Sequence, residues 1–236
     1  MSIENNLKQI YQRMGKAAEG ASRGLQEIKL LAVSKTMKVE AVREAYQAGQ
    51  RVFAENRVQE WLEKAPALPK DCEWHLIGRL QTNKVKYLND NITLIHSLDR
   101  LNLLKTLEEQ GTRRDIIWPV LVEVNTARDP DKAGLMREEL EDFLNAIADC
   151  SHVQAFGLMT IGALEATPEE TQGFFRELHQ IRDVLQKKKI PHVNLDELSM
   201  GMSRDFELAI AEGATIVRVG RQIFGDRQAM NKPANI

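Results

Sequence analysis

The chain has 236 residues, of which 28% are charged, and its 32 Lys and Arg against 34 Asp and Glu give a net charge of −2. That balance leaves no basic footprint for nucleic acid or an anionic membrane surface. No apolar run approaches the roughly 20 residues of a membrane span, and the opening residues, with Glu4, Lys8 and Arg13, lack the apolar core of a secretory signal. Cys72 and Cys150 have no metal-ligand spacing around them and read as free thiols in a reducing cytosol. A single domain over 1–236 accommodates this length, because α/β barrels run to about 250 residues.

Ile3, Leu7, Ile10 and Met14 recur at helical spacing and predict an opening amphipathic helix. Leu30 to Val33 is a continuous apolar run, the pattern of a parallel strand covered on both faces. Val39, Val42 and Tyr46 then mark a helix that Gly49 ends. Arg51 to Ala54 is a second strand, a helix begins at Val58, Trp61 and Leu62, and Trp74 to Ile77 is a third strand ending in Gly78. Gln81 to Leu88 is expected to be helical and Ile92 to Ile95 a fourth strand. Asp99 is placed to cap a helix carrying Leu101, Leu104 and Leu107, with Gly111 after it.

Trp118 to Val124 forms a fifth strand, followed by a polar loop from Asn125 to Gly134 and a helix with Leu140, Phe143, Leu144 and Ile147. Val153 to Met159 is a sixth strand. Thr167-Pro-Glu-Glu170 is a capping box with proline at the first helical position, leading a helix with Phe174, Leu178, Ile181 and Leu185. Leu195 to Leu198 is a short seventh strand, and Phe206, Ala209 and Ile210 mark a helix ended by Gly213. Thr215 to Val219 is an eighth strand, and a polar tail runs over 226–236. Eight strands alternating with helices predict one α/β domain, a closed (β/α)8 barrel. The extra N-terminal helix is available to fill the last helix position.

Barrel chemistry is placed at the carboxyl ends of the strands. Those positions hold Lys35, Glu55 and Asn56, His75 with Gly78, Asn125, Met159, Ser199, and Arg218 with Gly220. A lysine at a strand end can be desolvated, which lowers its pKa from about 10.4 and frees an amine to attack a carbonyl. An equally ordinary lysine snorkels from such a place to solvent. The segments Ser199-Met-Gly-Met-Ser203 and Val219-Gly-Arg-Gln-Ile223 occupy the loops after strands seven and eight, the usual phosphate site of a barrel. Arg218, buried in the last strand, must pair with a barrel carboxylate or face an acceptor on a ligand. Trp74 to Lys84 is not a P-loop, since Asn83 stands at the second glycine position and Val85 at the Ser/Thr position. His75 is the one histidine expected at the active edge; the other four read as turn or surface residues, which leaves little for a metal cluster or a Ser-His-Asp triad. Lysine, phosphate cradle and arginine together fit an aldehyde carrying a phosphate, and pyridoxal 5′-phosphate (PLP) is such a molecule.

These residues fall in blocks that resemble a known family. The blocks are Leu31-Ala-Val-Ser-Lys-Thr36, Glu55-Asn-Arg-Val-Gln-Glu60, Trp74 to Lys84, Gly157-Leu-Met159, Leu198 to Ser203, and Val217-Arg-Val-Gly220 with Ile223-Phe-Gly225. In this order they are similar to the pyridoxal phosphate homeostasis proteins, single-domain relatives of the alanine racemase barrel. The resemblance implies the fold type III barrel of PLP proteins, with the cofactor held as a Schiff base on Lys35. It implies that Ser199 and the backbone of Gly220 and Arg221 hold the phosphate, that Arg218 faces the pyridine nitrogen, and that Asn56, His75 and Met200 surround the cofactor. Lys132 and Gly134 match a family loop to which no task is assigned. Ala54 and Arg57 depart from the family's usual glycine and tyrosine, and Leu76 from its phenylalanine or methionine.

The function so implied is intracellular buffering or delivery of PLP without turnover, by a cytoplasmic monomer whose partners would be PLP-dependent apoenzymes or a regulatory protein. The runner-up is a PLP-dependent racemase or decarboxylase. Against it, an arginine at the ring nitrogen makes the ring a weak electron sink. A two-base racemase also needs a second acid/base, and Tyr11, Tyr46 and Tyr87 read as packing residues. A cofactor-free Schiff-base aldolase, with Glu55 or His75 as its acid/base, ranks third.

Overall fold

A computed structural model of the chain describes residues 2–163 and 165–225, so the polar tail expected over 226–236 lies outside the described residues. The strands are β1 Lys29–Val33, β2 Val52–Glu55, β3 Glu73–Leu76, β4 Ile92–Leu98, β5 Trp118–Glu123, β6 Val153–Met159, β7 Val193–Met202 and β8 Ile216–Val219. The helices are α1 Ile3–Gly20, α2 Val39–Gln47, α3 Val58–Lys64, α4 Thr82–Val85, α5 Leu101–Arg114, α6 Leu140–Ala148, α7 Pro168–Gln186, α8 Phe206–Ala211 and α9 Arg221–Phe224. All eight strands are parallel and in sequence order, and β1 closes on β8 with Leu31 opposite Arg218 and Ala32 opposite Val219.

Period-two alternation sorts the strand side chains into two cores. Leu31, Val33, Ala54, Leu94, Leu121, Met159 and Ile216 form the apolar part of the barrel interior. Their neighbours Leu30, Ala32, Phe53 and Trp74 face outward into the larger cluster under the helices. The last helix position is filled by α1, whose buried face is Ile3, Leu7, Ile10, Met14 and Ala18. Its Arg13 donates to Glu207 on α8 at 2.6 Å and to Gln222 on α9 at 2.8 Å, and Asn6 Nδ2 donates to the Ile223 carbonyl at 2.9 Å.

Several boundaries differ from the sequence reading. β4 and β7 run past their apolar stretches, to Leu98 and Met202, because their continuing inward side chains are polar. Only Thr82 to Val85 of the expected fourth helix is α-helical. Asp99 does not cap α5: its carboxylate pairs with Arg100, the residue at the cap position. The same helix continues through Gly111 to Arg114 and stops at Asp115, in the left-handed region with φ 53°. The Thr167 box closes α7 as expected, with the hydroxyl accepting from Glu170 N. Phe175, not Phe174, is the residue of that helix on the buried face.

Candidate functional site

Lys35 is half-buried in a turn two residues past the end of β1. Both of its neighbours are clamped. Ser34, fully buried, donates its hydroxyl to Glu55 Oε1 at 2.6 Å, and Thr36 N–H donates to Glu60 Oε2 at 2.6 Å. Lys64 reaches from the end of α3 to join these groups, with Nζ 2.8 Å from Ser34 O, 2.8 Å from Glu55 Oε1 and 3.3 Å from Glu60 Oε2. Burial pushes the Glu55 carboxyl up to about 7, against the pull of Lys64. Burial also works against Glu60, but the Thr36 N–H and the Lys64 ammonium outweigh it and hold that carboxyl below its ordinary value. Thr36 takes φ 64°, an uncommon conformation for a β-branched residue, so the clamp maintains a turn the sequence disfavours.

A chain of buried polar groups lies inside the barrel. Arg218 Nη1 donates to Ser199 Oγ at 2.5 Å and Nη2 to the Thr160 carbonyl at 2.7 Å. Ser199 Oγ is 3.0 Å from His96 Nδ1, and His96 Nε2 is 2.8 Å from His75 Nδ1. Burial holds His75 down to about 3 and His96 well below its ordinary value, so both rings are neutral. A guanidinium only donates, so Ser199 Oγ accepts from it. The Ser199–His96 and His96–His75 contacts each share one hydrogen, on the side set by the ring tautomers. Burial also depresses Arg218, to about 10, opposed by Glu123 and Asp205; it stays charged at neutral pH.

The sequence-derived residues divide accordingly. The end of β1, two residues before Lys35, meets the end of β8 at the seam, where a Cβ on Gly220 would stand 3.0 Å from Val33 O. The loops after β7 and β8 are tied by Gln222 Nε2 donating to Ser203 O at 2.7 Å. Asn56 follows β2, and its carbonyl lies against Gly78, where an added Cβ would be only 2.3 Å from Asn56 O. His75 is inside the barrel as one link of the polar chain. Ser199 is fully buried with its hydroxyl engaged by Arg218 and His96. Met200, the next residue on the strand, points the opposite way and is buried in the outer cluster with Phe206 and Ala209. Lys132 Nζ donates to Gly162 O at 2.8 Å, tying the β5 and β6 loops together.

Four residues escaped the sequence reading. His96 is fully buried on β4 and is no surface residue; the signal was its spacing of two from Leu94, which continues the inward face. Glu60 and Lys64 have no role in the sequence reading, yet their spacing of four does place both on the face toward Glu55. Glu123 ends β5 beside a cavity of about 280 Å3 also lined by Asn56, Asn125, Lys132 and Thr160. Burial, and then Asp99, push its carboxyl up to about 7, with Arg218 pulling the other way. Among the described residues no group of three or more His, Cys, Asp or Glu side chains is placed to hold a metal ion, and no helix is long and apolar enough to cross a membrane.

This barrel is that of the alanine racemase N-terminal domain: residues 2–228 match that family, and the chain belongs to it. The alanine racemase of Corynebacterium glutamicum shares the fold, with TM-score 0.66 at 16% identity over 97% of this chain and 64% of that one. Much nearer is the pyridoxal phosphate homeostasis protein of Aquifex aeolicus, 46% identical over 229 residues, 97% of this chain and 100% of that protein. The chain is a member of the pyridoxal phosphate homeostasis protein family. PipY of Synechococcus elongatus, in a structure with PLP bound, is 38% identical with TM-score 0.82, over 95% of this chain and 100% of that one.

Proposed function

We propose that the protein binds PLP at the β1–β8 seam and serves PLP homeostasis, holding and releasing the cofactor without turnover. The observation that carries this reading is the closure of β1 on β8, which brings the Lys35 turn beside Gly220 and sets Arg218 level with Leu31 below them. The donor set fits the group: a lysine amine for the aldehyde, small-residue turns after β7 and β8 for the phosphate, and a charged guanidinium in the barrel for the ring nitrogen. When bound, PLP supplies an electrophilic aldehyde and an electron-withdrawing ring.

Lys35 is the residue to which the aldehyde would be joined, and its clamped turn fixes where the amine emerges. Arg218 stays protonated and donates toward the ring nitrogen, which keeps a proton off that atom. Ser199 orients Arg218, and the backbone of Gly220 and Arg221 would hold the phosphate, with Ser203 opposite them. Asn56 borders the site, His75 acts through His96 and Ser199, and Met200 braces β7 from outside. Oligomeric state and location follow the same reading: a cytoplasmic monomer that meets apoenzymes or a regulatory protein.

The test is the visible absorption of the purified protein with PLP, before and after borohydride, with mass analysis of the Lys35 peptide. A band bleached by reduction, with the cofactor fixed on Lys35 and lost in Lys35→Ala, is expected. No modification at Lys35 overturns the site. Incubation with D- or L-alanine should give no racemisation beyond that of free PLP, and turnover would replace the carrier reading with an enzyme.

A further inference from the structure

A second cavity, of about 990 Å3, opens between the segments that follow β2 and β3. Four cations line it: Arg57, Arg79, Lys84 and Arg100. No carboxylate does among the described residues. The nearest acid, Asp99, is shared by Arg79, at 3.6 Å, and Arg100. Arg57 and Lys84 have no ion pair among the described residues. The lining therefore carries four positive charges and no carboxylate, with Asp99 and Glu123 acting on Arg79 and Arg100 from outside it, in a chain whose net charge is −2. Concave walls focus such a field, and guanidinium groups match the geometry of oxyanions. Gln81 and Asn83 add amide donors, and no aromatic ring lines the cavity to stack a base.

We propose that this cavity is a second anion site, taking a small molecule with two or more oxyanion groups, of the diphosphate class. It is distinct from the proposed PLP site. Lys35, Arg218 and Gly220 do not line it; Asn56, Gly78 and Arg79 line both this cavity and the one beside Glu123, which lie on either side of them. The proposal does not rest on the assignment of Lys35.

The experiment is a calorimetric titration of the PLP-loaded protein with pyrophosphate, inorganic phosphate and ADP at low ionic strength. Pyrophosphate is expected to saturate one site at least about ten-fold more tightly than phosphate, with the visible band of bound PLP unchanged. ADP should bind no tighter than pyrophosphate, since nothing in the cavity recognises a base. The double variant Arg57→Ser, Lys84→Ser removes the two unpaired cations, and should weaken pyrophosphate at least about ten-fold with an unchanged circular dichroism spectrum. Lys35→Ala should bind pyrophosphate as the parent does. Equal affinity in the double variant, a large gain from the nucleoside, or displacement of PLP by pyrophosphate overturns the proposal; the last would place the anion in the cofactor's own phosphate site.

Discussion

The ammonium of Lys64 lies 2.8 Å from the carbonyl oxygen of Ser34, the residue before Lys35. Through that contact a helix residue with no place at the barrel mouth sets the backbone from which the candidate lysine emerges. Lys64 and Glu55 are both buried, so neither charge has water to fall back on. Lys64→Met should cost about 1–3 kcal/mol in urea unfolding at neutral pH, because Ser34 O loses its donor and the Glu55 carboxyl, already raised to about 7, must take up a proton. Adding Glu55→Gln removes the need for that proton and should recover part of the loss. The same single variant should slow PLP capture at Lys35, read as growth of the visible band.

Ser199→Ala removes both the acceptor of Arg218 Nη1 and the hydrogen-bond partner of His96 Nδ1. A buried guanidinium N–H and a buried ring nitrogen are left without a partner, at a cost of about 1–3 kcal/mol in thermal or urea unfolding. Arg218 would keep Thr160 O as its sole described acceptor. The visible band of bound PLP should therefore shift in this variant, while an unchanged band would mean that the serine serves packing alone.

Glu123 gives a pH dependence of definite sign. Burial raises its folded pKa to about 7 from an ordinary 4.5, so the folded state binds the extra proton between those values. Stability from this group is present below about pH 4.5 and is lost as pH rises through about 7. Glu123→Gln mimics the protonated form. The variant should match the parent near pH 4.5 and exceed it by on the order of 3 kcal/mol at pH 8, measured as paired urea curves. A constant difference across that range would show that Glu123 does not titrate there.

Gly78→Ala places a methyl 2.3 Å from Asn56 O, a backbone atom that cannot swing aside. Overpacking of this kind costs about 1–3 kcal/mol and forces the β2 and β3 loops apart. Because Asn56 borders the candidate site, PLP affinity should fall along with the melting temperature. Gly173→Ala is the control, with nothing within 4 Å of the added carbon.

The barrel was legible because its outward strand faces and helix stripes are apolar, and Leu30 to Val33 shows this most plainly. Where the interior turns polar, apolar runs stop marking strands. For that reason the sequence reading makes His96 on β4 a turn or surface residue and ends β7 one residue before Ser199. Met200 shows the opposite error: a motif block groups neighbours in sequence, but successive strand residues face opposite ways. Lys35, Gly220 and the seam between them were legible from position alone. The Lys64 clamp was not, since a Glu60–Lys64 pair on a helix has the same spacing whether it is solvated or buried.

Closure of β1 on β8 also bears on how the protein is made. The candidate lysine leaves the ribosome well before the loop that would hold the phosphate is made. A half-finished chain can form neighbouring strand–helix units but cannot close the seam, and its α1 has no α8 or α9 to rest on. Pairing elements so distant in sequence is slow, since the chain entropy must be spent before the contacts form. Cofactor capture is thus a post-synthetic event, available to finished barrels and denied to truncated ones.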